Sequence, residues 1–503
     1  MTKHSHRNET LELVRAGIDT YQEPVVYMHA DCPVCRSEGF EAQARVKISI
    51  NGKSIVATLE VVSGDLLKPH QAALSESAWQ KLDPSPGDRA SMSHPEPVNS
   101  MKRVRAKIYG EKLKYADYFE IMQDAVAGRL ANIELAAFLT ACATRELDQN
   151  ETVALTRAMV DVGTRLEWGA GMVLDKHCVG GLPGNRTTPI VVAIVAACGY
   201  RIPKTSSRAI TSPAGTADAM EMLAPVNLSL DQMREVVDRE GGCVIWGGSV
   251  ALSPADDVLI RVERPLDFDA EAQLVASVLS KKIAAGATHI LLDLPVGPTA
   301  KIRSAEMGRH LGERLRAVGA ALGMKALVHL SDGTQPVGWG IGPALEARDV
   351  MAVLNGSAHA PSDLRERALD LAGALIDIAG FQKGGRALAR KTLDSGTALK
   401  KFIAICEAQG GIRTPPTAAH THTILASQPG TISALDNRAL SRVAKLAGAP
   451  QDAAAGLDLH VKVGTQVDRD TPLFTVHAES PGELEYALEF QARQTQLVTI
   501  DPA

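Results

Sequence analysis

The residues Asp175-Lys176-His177-Cys178-Val179-Gly180-Gly181-Leu182-Pro183-Gly184-Asn185-Arg186-Thr187-Thr188 set a lysine, an imidazole and a glycine-rich turn directly before the apolar run Pro189 to Cys198. That run is rich in Val, Ile and Ala, so the segment reads as a short strand, a tight turn and a buried helix. Such a turn aims backbone N–H groups and a helix N-terminus at one point, which suits an anion, phosphate above all. The plainer reading is a tight connection with an incidental lysine. A second stretch, Pro203-Lys204-Thr205-Ser206-Ser207-Arg208-Ala209-Ile210-Thr211-Ser212-Pro213-Ala214-Gly215-Thr216-Ala217-Asp218, packs hydroxyls, a guanidinium and small residues together without apolar periodicity. Taken alone it also fits the capped start of a helix.

The elements that must position these residues follow from patterning. The expected fold is α/β, with four parts. An N-terminal β-rich domain is expected over 1–95, because Ala44 to Ile50 and Ser54 to Val62 alternate apolar and polar positions. Pro and Ser crowd between Asp83 and Pro97, which reads as a linker. A helical domain is expected over 100–170, with a contribution from about 200–235; Tyr118, Ile121, Met122, Ala125 and Val126 share one helical face, followed by Leu135, Phe138, Leu139 and Cys142. Strand candidates such as Cys243 to Trp246 and His289 to Leu294 alternate with helical stretches over 173–415, predicting an α/β domain with a mainly parallel sheet and the phosphate site at its strand ends. The stretch 420–495 reads as a C-terminal α+β lobe, similar to hammerhead folds of the lipoyl type but with no evident modification lysine.

Composition narrows the partners. A chain of 503 residues exceeds what one core usually organises. With 53 basic and 58 acidic residues and a formal charge of -5, no global attraction to nucleic acid or an anionic membrane is expected, so an anion site must be local. No apolar run approaches the roughly 20 residues of a membrane span, and MTKHSHRNET lacks the apolar core of a signal peptide; a cytoplasmic location is the expectation. The seven cysteines are scattered, unlike a disulfide framework. Only Cys32 and Cys35 have metal or redox spacing: a zinc half-site completed by His29 or a second subunit is one reading and a surface turn the other, and no metal is expected.

Together, the two stretches resemble the thymidine and pyrimidine-nucleoside phosphorylase family, most closely its type 2 branch, which includes archaeal AMP phosphorylases. The resemblance continues through Leu252-Ser253-Pro254-Ala255-Asp256-Asp257, Ala276 to Lys282, Asp293-Leu294-Pro295-Val296-Gly297 and Thr334-Gln335-Pro336-Val337-Gly338 to Glu346, covering roughly residues 100–490. It implies reversible phosphorolysis, in which inorganic phosphate attacks C1′ of a nucleoside and the base leaves. No cofactor is implied, since phosphate is the co-substrate, and the partners are small molecules and a second copy of the chain, as a homodimer or higher homo-oligomer. By resemblance the phosphate falls to Lys176, Cys178, Gly180, Thr188, Ser206 and Thr216, with Cys178 standing where the family's serine is expected. A thiol is a weak donor there.

For the leaving base, the pyrimidine-specific pattern implies His177, Arg261, Ser277 and Lys281. The AMP phosphorylase pattern implies Asp269 as proton donor, and a nucleotide clamp of Gly181, Ser207, Arg208, Ala209, Ile210, Thr211, Ser212, Thr216, Ser277 and Lys301. The substrate stays open between thymidine and a nucleoside 5′-monophosphate, with thymidine placed first because the pyrimidine set is complete. Segments Gly169 to Gly171 and Pro203 to Thr205 are the expected hinges. Two other classes remain: a catalytically silent scaffold on the same fold, and a phosphoribosyltransferase, which should carry an acidic pair after an apolar strand to bind Mg²⁺.

Overall fold

A computed structural model describes residues 10–209, 212–266, 270–380, 384–494 and 496–502. The chain forms two compact units, Met1–Arg145 with Val258–Asp267, and Glu146–Asp257 with Phe268–Ala503.

In the first unit, strands β1 (Thr10–Arg15), β2 (Val25–His29), β3 (Arg45–Ile50), β4 (Lys53–Val62), β5 (Gln71–Leu74) and β6 (Arg89–Ser93) close a barrel in the order β1-β5-β2-β4-β3-β6. Their alternation puts Val46, Ile48 and Ile50 of β3 inside with Leu13, Met28 and Leu59. β6 lies within the stretch expected to be a linker. Its Ala90 and Met92 face the core and alternate with Arg89, Ser91 and Ser93, a two-position pattern too short to stand out among the prolines. Helices α1 (Pro33–Glu38) and α2 (Glu76–Leu82) pack on the barrel. Cys32 and Cys35, at the start of α1, are buried in that core rather than on a surface turn; a hydrogen bond to Cys32 and burial push the Cys35 thiol up.

Helices α3 (Ser100–Ile108), α4 (Tyr115–Val126) and α5 (Asn132–Thr144) follow in this unit. Tyr118, Ile121, Met122 and Ala125 of α4 are buried with Leu135, Phe138, Leu139 and Cys142 of α5, and the Tyr118 and Phe138 rings meet edge to face at 6.3 Å. Val126, expected on the same face, is exposed because it closes the last turn of its helix.

The second unit opens with α6 (Gln149–Asp161), followed by β7 (Leu174–Cys178), α7 (Thr187–Ala197), β8 (Ile202–Ser206), α8 (Thr216–Glu221), α9 (Leu230–Glu240) and β9 (Gly242–Trp246). Next come α10 (Pro254–Leu266), of which only the first turn belongs to this unit, α11 (Glu271–Ala284), β10 (His289–Val296), α12 (Ala305–Ala321) and β11 (Lys325–Asp332). Strands β11-β10-β7 and β8-β9 are parallel, and a Val173–Arg201 bridge joins them into one sheet order, β11-β10-β7-β8-β9. A central parallel sheet covered on both faces is what such apolar strands demand. Helix α7 is apolar all round, and Ile190 to Val195 are all fully buried against the sheet and the later helices. Each such Val or Ile contributes about 1.5–3 kcal/mol relative to exposure.

After β12 (Gly340–Ile341), helices α13 (Pro343–Leu354), α14 (Ser362–Ile378), α15 (Gly385–Asp394) and α16 (Thr397–Ala408) finish the α/β part. The C-terminal lobe holds β13 (His420–Leu425), β14 (Gly430–Leu435), α17 (Asn437–Leu446), β15 (Gly456–Leu459), β16 (Gln466–Val467), β17 (Pro472–Ala478), α18 (Pro481–Ala492) and β18 (Val498–Asp501). Its strands form antiparallel sheets β12-β15-β17-β13 and β16-β14-β18, so β12 stitches the lobe to the α/β part.

Candidate active site

The parallel register places Cys178 at the end of β7 beside Asp293 of β10, and Ser206 at the end of β8 beside Trp246 of β9. These are the carboxyl ends of the strands, where open α/β sheets bind ligands. Lys176 is buried on β7; its Nζ donates to Thr187 Oγ1 at 2.8 Å and lies 4.0 Å from Asp293 Oδ2. Two more buried lysines converge on Asp175, Lys282 at 3.1 Å and Lys204 at 3.7 Å, and both donate to the Thr205 carbonyl. Among the described residues, this cluster sets three ammonium groups against the carboxylates of Asp175 and Asp293. Burial and the neighbouring Lys282 hold the Lys204 ammonium well below the ordinary lysine range. A dry site with surplus cations is relieved by an arriving anion.

His177 lies in the same field. Burial, then Lys282, Lys204, Lys281 and Lys176, push its imidazole well below the usual histidine range, so at neutral pH it is uncharged, one ring nitrogen donating and the other accepting. The Cys178 thiol is pushed up to about 12 by burial and by Asp293, and its Sγ accepts from Asn185 Nδ2 at 3.2 Å. It is therefore a neutral thiol in a polar niche.

The glycine turn works by close approach. Gly184 has φ +71°, and a Cβ there would come within 2.0 Å of the Val337 carbonyl. Gly181, at φ +57°, has open space around it, and Gly180 packs on Pro295. The turn delivers the chain to Thr187 and Thr188, both buried at the start of α7. Arg186 just before them donates from Nε to Glu346 Oε2 at 2.6 Å, from Nη1 to Thr216 Oγ1 at 2.8 Å and from Nη2 to the Ala214 carbonyl at 3.0 Å. Ser206 Oγ is buried and has no hydrogen-bond partner among the described residues.

The hydroxyl-rich loop is folded around Asp218, whose Oδ2 accepts from Ala209 N at 2.7 Å and Gly215 N at 2.8 Å. Ser207 is exposed and Ser212 Oγ donates to the Ala214 carbonyl, while Ile210 and Thr211 lie outside the described residues. Arg208 is occupied: it pairs with Glu221 at 2.6 Å and Asp218 at 3.1 Å and lies 5.1 Å from the Trp246 ring centre.

Ser277 and Lys281 stand one turn apart on α11, and Lys281 Nζ meets the buried carboxylate of Asp256 at 2.5 Å. Beside them, burial and Asp256 push the Asp257 carboxyl up to about 6. Lys301 is exposed in the loop after β10. Arg261 belongs to the first unit, on a cleft of about 560 Å³ lined also by Gln22, Glu76, Gln80 and Lys81; burial holds its guanidinium below the ordinary range. Asp269 lies outside the described residues.

Residues 102–163 match the helical bundle domain of the glycosyl transferase family, 170–399 its a/b domain, and 431–496 the pyrimidine nucleoside phosphorylase C-terminal domain. A protein of Polaromonas sp. named "Putative thymidine phosphorylase" is 60% identical over 97% of this chain and 96% of its own length. The chain belongs to the thymidine and pyrimidine-nucleoside phosphorylase family. A relative from Hahella chejuensis with the same name is 57% identical over 95% of each chain. Anthranilate phosphoribosyltransferase from Thermus thermophilus covers 61% of this chain and 98% of its own, with a TM-score of 0.51 and 22% identity, a likeness of fold. As a member of this family the protein is a pentosyltransferase.

Within this candidate site, sequence reasoning missed Arg186, Thr187, Asn185 and the Lys204–Asp175–Lys282 cluster. One signal was available: Lys204 follows the apolar Ile202-Pro203 in β8 and Asp293 interrupts the apolar run Ile290 to Leu294 in β10, and a charge inside a buried strand needs a partner.

Proposed function

We propose that the protein is a thymidine phosphorylase, converting thymidine and inorganic phosphate reversibly into thymine and 2-deoxy-D-ribose 1-phosphate, with phosphate as co-substrate and no cofactor. The observation that carries this reading is the buried cation surplus around Lys176, together with the start of α7 and the buried Ser206 hydroxyl, which has no partner among the described residues. In this mechanism Lys176, Ser206, Thr188 and Thr216 hold phosphate below the sugar. A phosphate oxygen forms the new bond to C1′ as the bond from C1′ to the base nitrogen breaks, and the electron pair leaves with the base. Lys281 answers the charge that grows on the base, with Ser277 as a neutral hydrogen-bonding partner. His177, uncharged at neutral pH, orients sugar and base by hydrogen bonding rather than by giving up a proton.

The nucleoside is favoured over a 5′-nucleotide because Arg208, the charged member of the Ser207 to Ser212 loop, is already held by two carboxylates. The names of the relatives agree with thymidine. Ser207, exposed at the loop's start, supports AMP phosphorolysis as the second reading. Incubating the protein with phosphate and a panel of thymidine, uridine, AMP, CMP and UMP separates these. Thymine release is expected; adenine release from AMP alone would replace the substrate, and no phosphate-dependent base from any member would overturn the reaction.

A further inference from the structure

We propose that Arg186 and Glu346 are the positioning pair of the phosphate cradle, joining its two loops and turning the Thr216 hydroxyl into a donor. This rests on the phosphorolysis reading above. Glu346 is buried on α13, where Oε1 accepts from Gly184 N and Gly342 N at 3.3 Å and Oε2 from Arg186 at 2.5–2.6 Å. Burial pushes this carboxyl up, and Arg186 and the two amides pull it back. The same guanidinium reaches Thr216 and Ala214 at the start of α8. One planar fork thus ties the glycine turn, through Gly184, to the hydroxyl loop.

The direction of the Thr216 bond matters. A threonine hydroxyl has one proton and two lone pairs. Arg186 Nη1 occupies a lone pair, so the proton is left to point elsewhere, polarised by the cation behind it. Thr187 is set in the same way, accepting from Lys176 Nζ at 2.8 Å. Both loops therefore present a hydroxyl backed by a cation, the arrangement an oxyanion needs. A lysine at 186 keeps the charge but cannot span three acceptors in one plane.

The test uses the full-length protein and whichever panel substrate turns over. Arg186→Lys is expected to raise the phosphate KM about tenfold, the worth of one charge-assisted hydrogen bond, and to leave the nucleoside KM within about twofold. Thr216→Val, which leaves the ion pair intact, should reproduce the phosphate effect, and Thr216→Ser should restore it. The double variant should be no worse than the poorer single one, because the two residues act through one bond. An unchanged phosphate KM in Arg186→Lys overturns the proposal, as do equal rises in both KM values or additive effects. If Arg186→Lys does not fold, Thr216→Val and Thr216→Ser decide it: a phosphate KM unmoved by Thr216→Val overturns the pairing. Absence of phosphate-dependent turnover in the unmodified protein defeats the phosphorolysis reading instead, so the two failures are distinct.

Discussion

Two charged clusters of the second unit, one on β7, β8, β10 and α11 and one on the hydroxyl loop, are balanced in opposite senses. Beneath the glycine turn, Lys176, Lys204 and Lys282 outnumber Asp175 and Asp293, and all five are almost wholly buried. On the hydroxyl loop, Arg208 faces both Asp218 and Glu221 in a half-exposed setting. The first cluster leaves charge over for a ligand and the second has spent its charge on folding a loop. A basic residue in a motif is therefore weak evidence for an anion site until its partners are counted. The same count separates Lys176, proposed above to hold phosphate, from Arg208, which sequence reasoning placed in a nucleotide clamp.

The largest expected effect breaks the first cluster at its centre. Lys176→Met should lower kcat/KM for phosphorolysis by about a thousandfold or more while the melting temperature stays close to that of the unmodified protein, because the methionine fills the buried volume and Asp293 keeps Ser331 and Asn185 as partners. Steady-state base release and a thermal melt measure both, and an active variant would sink the phosphate assignment. Lys281→Ala comes next, with kcat lower by about a hundredfold and the phosphate KM little changed, since Lys281 is assigned to the base. A rise confined to the phosphate KM would move Lys281 into the first cluster.

The sequence carries the fold more legibly than the charge balance. Alternation in β3 and the apolar run of α7 each reflect one element's own burial, so they can be read locally. Ion pairing is set by contacts far apart in the chain: Asp175 meets Lys204 and Lys282, and Arg186 meets Glu346 160 residues later. No local pattern reveals which lysine is neutralised. For the same reason Lys176 could be found by its motif, whereas Arg186 and Thr187 in the same motif were given no role.

Stability should separate the clusters by sign. Lys204→Met removes a surplus buried cation whose ammonium form the fold disfavours, so without phosphate the melting temperature should rise by about 2 °C, while the upward shift produced by adding phosphate shrinks. Arg208→Met removes the partner of two carboxylates and should lower the melting temperature by about 2 °C with the phosphate shift unchanged. Shifts of the same sign in both variants would erase the distinction between spent and surplus charge.

The finest test concerns His177, the uncharged member of the first cluster. Its folded pKa lies below the unfolded value of about 6.5, so below that pH the unfolded chain binds more protons and stability falls as the pH drops. The groups facing it are Lys176, Lys204, Lys281 and Lys282, all cationic when protonated. Between pH 7 and 5.5 the melting temperature of the unmodified protein should therefore fall more steeply than that of His177→Gln. Asp257 and Asp349, pushed up to about 6 and about 7, titrate in the same window with the opposite sign, but they are common to both proteins and drop out of the difference. Saturating phosphate should narrow the gap, because an anion among these lysines lifts the imidazole pKa. A gap that phosphate leaves unchanged would mean that burial alone, and not the surplus of cations, keeps His177 neutral.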